Sequence, residues 1–153
     1  MRKESRQRKF IMKCAFQLNS YQIENIAVAW NETFDRNLDA HTGDIATSIS
    51  ISPHAKDVRN YRVTLEVQVK PTAEKEKEFF PYMVAIKGRA FFTFQEACPT
   101  EDADHTLRLN GASILYGLLR AQVAQITAQS VNGQFLLPTV NFLELAETQR
   151  KTR

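Results

Sequence analysis

Between Ile45 and Phe94 the apolar residues recur at every second position, and after Ser113 they follow a helical period instead. That one change of period restricts the chain to strands first and helix afterwards. The cleanest strand sets Tyr61, Val63, Leu65, Val67 and Val69 against Arg62, Thr64, Glu66, Gln68 and Lys70, with one buried face and one wet face. Ile45, Thr47, Ile49 and Ile51 alternate with Ala46, Ser48, Ser50 and Ser52 until Pro53 ends the run. A longer strand from Phe79 to Phe94 places Phe80, Tyr82, Val84, Ile86, Ala90, Phe92 and Phe94 on one face. Phe79, Met83 and Phe91 fall on its other face, so it is expected to touch something on both sides. Its central Lys87-Gly88-Arg89 predicts a bulge or bend.

Upstream, Phe10, Met12, Cys14, Phe16 and Leu18 alternate as a first strand. Tyr21–Trp30 is apolar but irregular, and Asn31–Gly43 reads as a crossing loop. Glu74–Glu78 reads as a solvated hairpin connector, and Cys98–Asp104 as an acidic loop. Ile114, Leu115, Leu118, Leu119, Val123 and Ile126 then form one helical stripe, with Asn110 or Ser113 as the cap and Gly133 past the end. Asn141 caps a short last helix that carries Phe142, Leu145 and Ala146. The expected fold is α+β: a four-stranded antiparallel sheet followed by a long helix and a short C-terminal helix. One domain accommodates the 153 residues, over 10–149, between basic tails at 1–9 and 150–153.

Charge qualifies the partners. The net +3 conceals a mildly acidic body, since residues 11–149 hold 12 Lys and Arg against 16 Asp and Glu. Basic ends can touch nucleic acid, but frayed, solvated termini are the simpler reading, and nucleic acid is not an expected partner. No run approaches the roughly 20 apolar residues that span a bilayer, and a soluble cytoplasmic protein without membrane contact is expected.

The chemistry of known catalytic sites is missing. There is no phosphate-cradling glycine loop, no nucleophile elbow and no zinc spacing. Cys98, Asp102, Asp104 and His105 make the best metal set, yet they mix soft and hard ligands without a known spacing. A Cys98–His105 nucleophile pair lacks a group to orient the base. Cys14, on an apolar strand face, reads as a buried thiol. No cofactor, metal or enzymatic activity is expected. The chain is rich instead in apolar side chains, more than a single-layer sheet with one and a half helices readily covers, and such patches mark interaction surfaces.

The run Ile114-Leu115-Tyr116-Gly117-Leu118-Leu119-Arg120, followed at a fixed distance by Gln134-Phe135-Leu136-Leu137-Pro138-Thr139-Val140-Asn141-Phe142, resembles the SecB-type protein-export chaperones. Phe16-Gln17-Leu18 sits where that family has its first-strand motif, and the likeness covers roughly residues 10–146. The resemblance implies a homotetramer, built as a dimer of dimers with helices layered between sheets. It implies ATP-independent holding of unfolded polypeptide clients in apolar grooves. By it, Val28, Trp30, Phe34, Phe135, Leu137, Phe142 and Leu145 line the client groove, and the helical stripe of Ile114, Leu118, Leu119, Val123 and Ile126 joins subunits. Exporting members dock the SecA motor through acidic residues on the sheet, where this chain has Asn25, Ala29 and Val84, and they are strongly acidic overall. Those departures argue against SecA docking and for a different partner, such as an aggregation-prone antitoxin. Two other functions stay in view: an oligomeric module specific for one folded partner, and a small thioesterase-like enzyme, though folds of that type place their central helix early.

Overall fold

The computed structural model describes residues 15–38, 45–71 and 74–151. Four strands, β1 (Phe16–Trp30), β2 (Ile45–Pro53), β3 (Asn60–Val69) and β4 (Tyr82–Phe94), form one antiparallel sheet in the order β1-β4-β3-β2. The connection from β1 to β2 therefore passes from one sheet edge to the other. A 3₁₀ helix (Glu74–Phe79) occupies the charged connector, and β4 starts after it rather than at Phe79. The helices follow: α1 (Thr100–Thr106), a π-helical turn (Leu107–Gly111), α2 (Ala112–Thr127) and α3 (Phe142–Lys151). The expected α+β order holds. Of the expected basic tails, 1–9 and the end of 150–153 lie outside the described residues, as does Cys14, while α3 takes in positions 150 and 151.

Several local expectations fail for physical reasons. The long helix begins at Thr100, and what reads as an acidic loop is its first turns. Glu101 and Asp102 stand in the first turn, where a helix favours carboxylates. The apolar stripe starts later because α1 buries only Ala103. The irregular stretch Tyr21–Trp30 is strand throughout. β1 carries register shifts between Leu18 and Ser20 and between Ile23 and Asn25, each of which adds one residue opposite β4. Each shift inverts the alternation, so Phe16 and Leu18, then Tyr21 and Ile23, then Ile26, Val28 and Trp30 all pair with helix-side residues of β4.

The bulge expected at Gly88 is not in β4, whose register with β3 runs unbroken through Leu65↔Gly88. The glycine answers a different need. A Cβ there would stand 2.7 Å from Leu119 Cδ2 and 3.3 Å from the Gln22 carbonyl oxygen, so its absence lets α2 lie directly on the sheet. The core is the layer between them. Val63, Leu65, Val67, Ile86 and Phe92 meet Leu107, Leu115, Leu119 and Val123, all buried. Full burial of each such large side chain is worth about 1.5–3 kcal/mol.

Candidate functional site

The end of β1, the crossing loop and the turn after α2 are laced together by amides and one phenol. Asn31 Nδ2 donates to the carbonyls of Lys77 (2.6 Å) and Phe80 (2.8 Å). Asn132 Nδ2 donates to the carbonyls of Pro81 (2.8 Å) and Asn31 (3.4 Å). The Tyr82 hydroxyl donates to the Gly133 carbonyl (2.6 Å) and accepts from the Asn132 N–H (3.1 Å). Arg36 Nη2 donates to the Val131 carbonyl (2.6 Å), close to the end of α2. Gly133, with φ of 77°, permits the turn that presents these groups. The lacing makes Trp30 and Val131 neighbours of one hydrogen-bonded pair, Asn31 and Asn132. Trp30 pairs with Tyr82 on the helix side of the sheet, yet it is 46% exposed, and Val131 is 58% exposed. Val28 and Phe34 are half-buried beside them in sequence. Val131 was not expected here; it lies past the helical stripe, among Ser130, Asn132 and Gly133, where a lone valine reads as turn filler.

From the turn the chain runs back along α2 in extended form, clipped by helix side chains. Thr127 Oγ1 accepts the Phe135 N–H (2.8 Å), Arg120 Nε donates to the Leu137 carbonyl (2.7 Å), and the Tyr116 hydroxyl donates to the Pro138 carbonyl. Burial pushes the Tyr116 phenol up to about 12, against the opposing pull of the Arg120 charge. Extended geometry turns alternate side chains inward. Phe135, Leu137 and Phe142 are buried in the subunit's own core, so they do not line an open groove. Leu136, between the first two, is 50% exposed. Phe142 packs edge-on against Tyr116 with ring centroids 5.6 Å apart, and Leu145 is half-buried against the core. The expected groove residues are thereby split. The strand end and loop that carry Val28, Trp30 and Phe34 are tied to the turn after α2, while Phe142 packs on Tyr116, about 16 Å nearer the N-terminus of that helix at 1.5 Å per residue.

The helical stripe divides as well. Leu119 and Val123 are fully buried against the sheet and are core residues, not contact residues between subunits. Ile114 and Ile126 are exposed and Leu118 is half-buried. A stripe of six apolar residues is wider than one packing face needs, and here it wraps onto two. Gly117, between Ile114 and Leu118, has open space where a Cβ would stand.

On the other side of the sheet, Asn25 and Ala29 pair with Lys87 and Met83 on the face without helices. Val84, grouped with them in sequence, is instead buried on the helix side. Ionic contacts on that face join Glu24 to Lys87 (3.4 Å) and to Arg89 (3.2 Å). Cys98 is disulfide-bonded, and Asp104 is engaged by Arg108 at 2.7 Å, so neither of the weighed Cys98 arrangements is assembled. No group of three metal-ligating side chains is found among the described residues.

A family model described as "Preprotein translocase subunit SecB" matches residues 12–153. No curated protein matches significantly. Among solved structures, the chain is similar to a SecB-like chaperone from Mycobacterium tuberculosis in complex with a ChAD peptide from the HigA1 antitoxin. The TM-score is 0.61 at 11% identity, over 82% of this chain and 91% of that one. It is also similar to a protein of unknown function from Streptococcus agalactiae, with a TM-score of 0.53 at 6% identity, over 84% of this chain and 100% of that one. At such identities the likeness is one of fold.

Proposed function

Because this chain belongs to the SecB family, matched over residues 12–153, we propose that it is an ATP-independent holding chaperone of the cytoplasm. It takes up extended apolar stretches of other polypeptides on the surface formed by Val28, Trp30, Phe34 and Val131. The observation that carries the reading is Trp30, a large aromatic left 46% exposed on the side of the sheet that builds the core. Tryptophan binds apolar segments through area rather than sequence, which suits a protein with many clients. The polar lacing of Asn31, Asn132, Tyr82 and Arg36 satisfies the loop backbone internally, so the patch is held open rather than collapsed.

The working particle in this reading is a homotetramer, with the outer face of α2 as a contact between subunits. Ile114 and Leu118 supply its apolar surface, and Gly117 supplies close approach. A glycine inside a helix costs about 0.5–1 kcal/mol relative to alanine, and nothing among the described residues requires it. A dedicated client such as an antitoxin is favoured over export. Asn25 and Ala29 put no charge on the sheet face, and Glu24 is engaged by two cations. That the similar mycobacterial chaperone was solved with an antitoxin peptide supports the same choice.

The test is light scattering of a chemically denatured client diluted into the protein without nucleotide. The wild type is expected to delay aggregation at stoichiometric amounts, and Trp30→Ser to weaken that protection several-fold with the oligomer intact. Full protection by Trp30→Ser would remove the patch from the mechanism. A protein that retains one stoichiometric folded partner, and ignores denatured competitors, would favour the dedicated-module reading instead.

A further inference from the structure

The face of the sheet turned away from the helices holds a cleft of about 340 Å³ that the family reading does not use. It crosses the sheet rather than following a strand. One row of paired residues runs Ser52, Arg62, Phe91 and Ser20 across β2, β3, β4 and β1. The first register shift of β1 adds Asn19 to this row, so a bulge places a second side chain at the cleft. Phe91 is the aromatic whose position on the second face of β4 predicted a contact there.

The lining is ordered. Asn19 Nδ2 donates to Thr93 Oγ1 (2.6 Å), which donates to Asn60 Oδ1 (2.6 Å), so two amides are fixed from three strands. Among the described residues Asn19 Oδ1 meets no donor and remains as an acceptor. The Phe91 ring has the Arg89 guanidinium 5.9 Å from its centroid, and Arg89 is itself held by Gln22 (2.8 Å) and Glu24 (3.2 Å). His54 Nδ1 accepts the backbone N–H groups of Lys56 (3.1 Å) and Asp57 (3.2 Å), which leaves Nε2 as its donor. Arg62 differs from its neighbours. Among the described residues it forms no ion pair, and its one hydrogen bond, to Ser52 Oγ, is long at 3.5 Å.

We propose that this cleft binds the carboxylate end of an aromatic group. The Arg62 fork matches a carboxylate in two parallel hydrogen bonds. Phe91 offers a plane against which a second ring packs, and Asn19 Oδ1 accepts the N–H of a terminal residue. The volume lies at the low end of the roughly 300–1,000 Å³ typical of ligand sites, enough for one aromatic residue and its terminus. Two sources supply this chemistry, the C-terminus of a peptide ending in Phe and a free arylalkanoic acid.

The experiment is fluorescence anisotropy on the full chain, with a labelled Gly-Gly-Gly-Phe peptide as the free acid and as the C-terminal amide. The acid is expected to bind saturably, and the amide about tenfold or more weaker, the effect of losing a charged hydrogen-bonded partner. Arg62→Gln should bring the acid down to the amide's affinity and change the amide less than twofold, while Phe91→Ser weakens both. Arg62 is exposed and Phe91 half-buried, and thermal melts of the variants verify folding. Displacement by 3-phenylpropanoate at concentrations matching the peptide assigns the small acid as sufficient, and failure to displace assigns the peptide; either outcome keeps the carboxylate assignment. Equal affinity for acid and amide overturns it, as does an unchanged Arg62→Gln or the lack of saturable binding. Suppression of client aggregation by Arg62→Gln should match the wild type, so failure at this site and failure of the chaperone reading are separable.

Discussion

Tyr116 shows how a single residue ties the parts of this subunit together. Its ring meets Phe142, its hydroxyl holds the Pro138 carbonyl, and burial raises its pKa to about 12. The raised value means the fold favours the neutral phenol. The resulting stabilisation is complete below pH 10, the unfolded value, and is lost as pH climbs through about 12. Tyr116→Phe should therefore cost about 1 kcal/mol at neutral pH through the lost hydrogen bond. The gap from wild type should narrow between pH 10 and 12, read from urea midpoints across that range. A gap that stays constant to pH 12 would contradict the assigned cause. At this scale the sequence was partly legible. Trp30, which the family resemblance puts in the client groove, is 46% exposed at the end of β1. Phe135, Leu137 and Phe142 look the same on paper but are buried, because the segment's course along α2 decides which apolar side chains turn inward. Nothing in the identity of an apolar residue distinguishes a core position from an open one.

At the scale of elements, the segment after Gly133 is neither helix nor strand, and side chains of α2 take over its backbone hydrogen bonds. Thr127 is the strictest of these clips, since its hydroxyl is fully buried and receives the Phe135 N–H. Thr127→Val keeps the shape and removes the acceptor. The orphaned N–H should lower stability by about 1–3 kcal/mol, measured as a shift in the urea midpoint with an unchanged m-value. Thr127→Ser should restore most of it. Strands β2, β3 and β4 were readable because their alternation is unbroken. β1 was readable only to Leu18, where the first shift inverts its phase. Likewise α1 lacked a stripe because it buries a single alanine. Periodicity reports burial, and an element that buries little or changes phase leaves little of it to read.

For the whole molecule, the question is what covers the outer face of α2. In the isolated subunit, Gly117→Leu meets open space and replaces a poor helix former with a good one. If that face is free, the variant keeps its assembly state and melts higher. With the face packed against another subunit, as proposed, the leucine forces the helices apart, and light scattering after size exclusion should show a smaller particle. The acidic-position comparison was legible only in part at this scale, since Asn25 and Ala29 do lie on the helix-free face, but Val84 does not.

The two register shifts in β1 have a consequence of parity. One alone would leave Trp30 pointing to the opposite side of the sheet from Phe16; a pair cancels, and the indole ends on the same side as the strand's beginning. Which surface of the particle carries its largest exposed aromatic is thus settled by the number of residues between Leu18 and Asn25, an odd or even count, and not by the chemistry of any one of them.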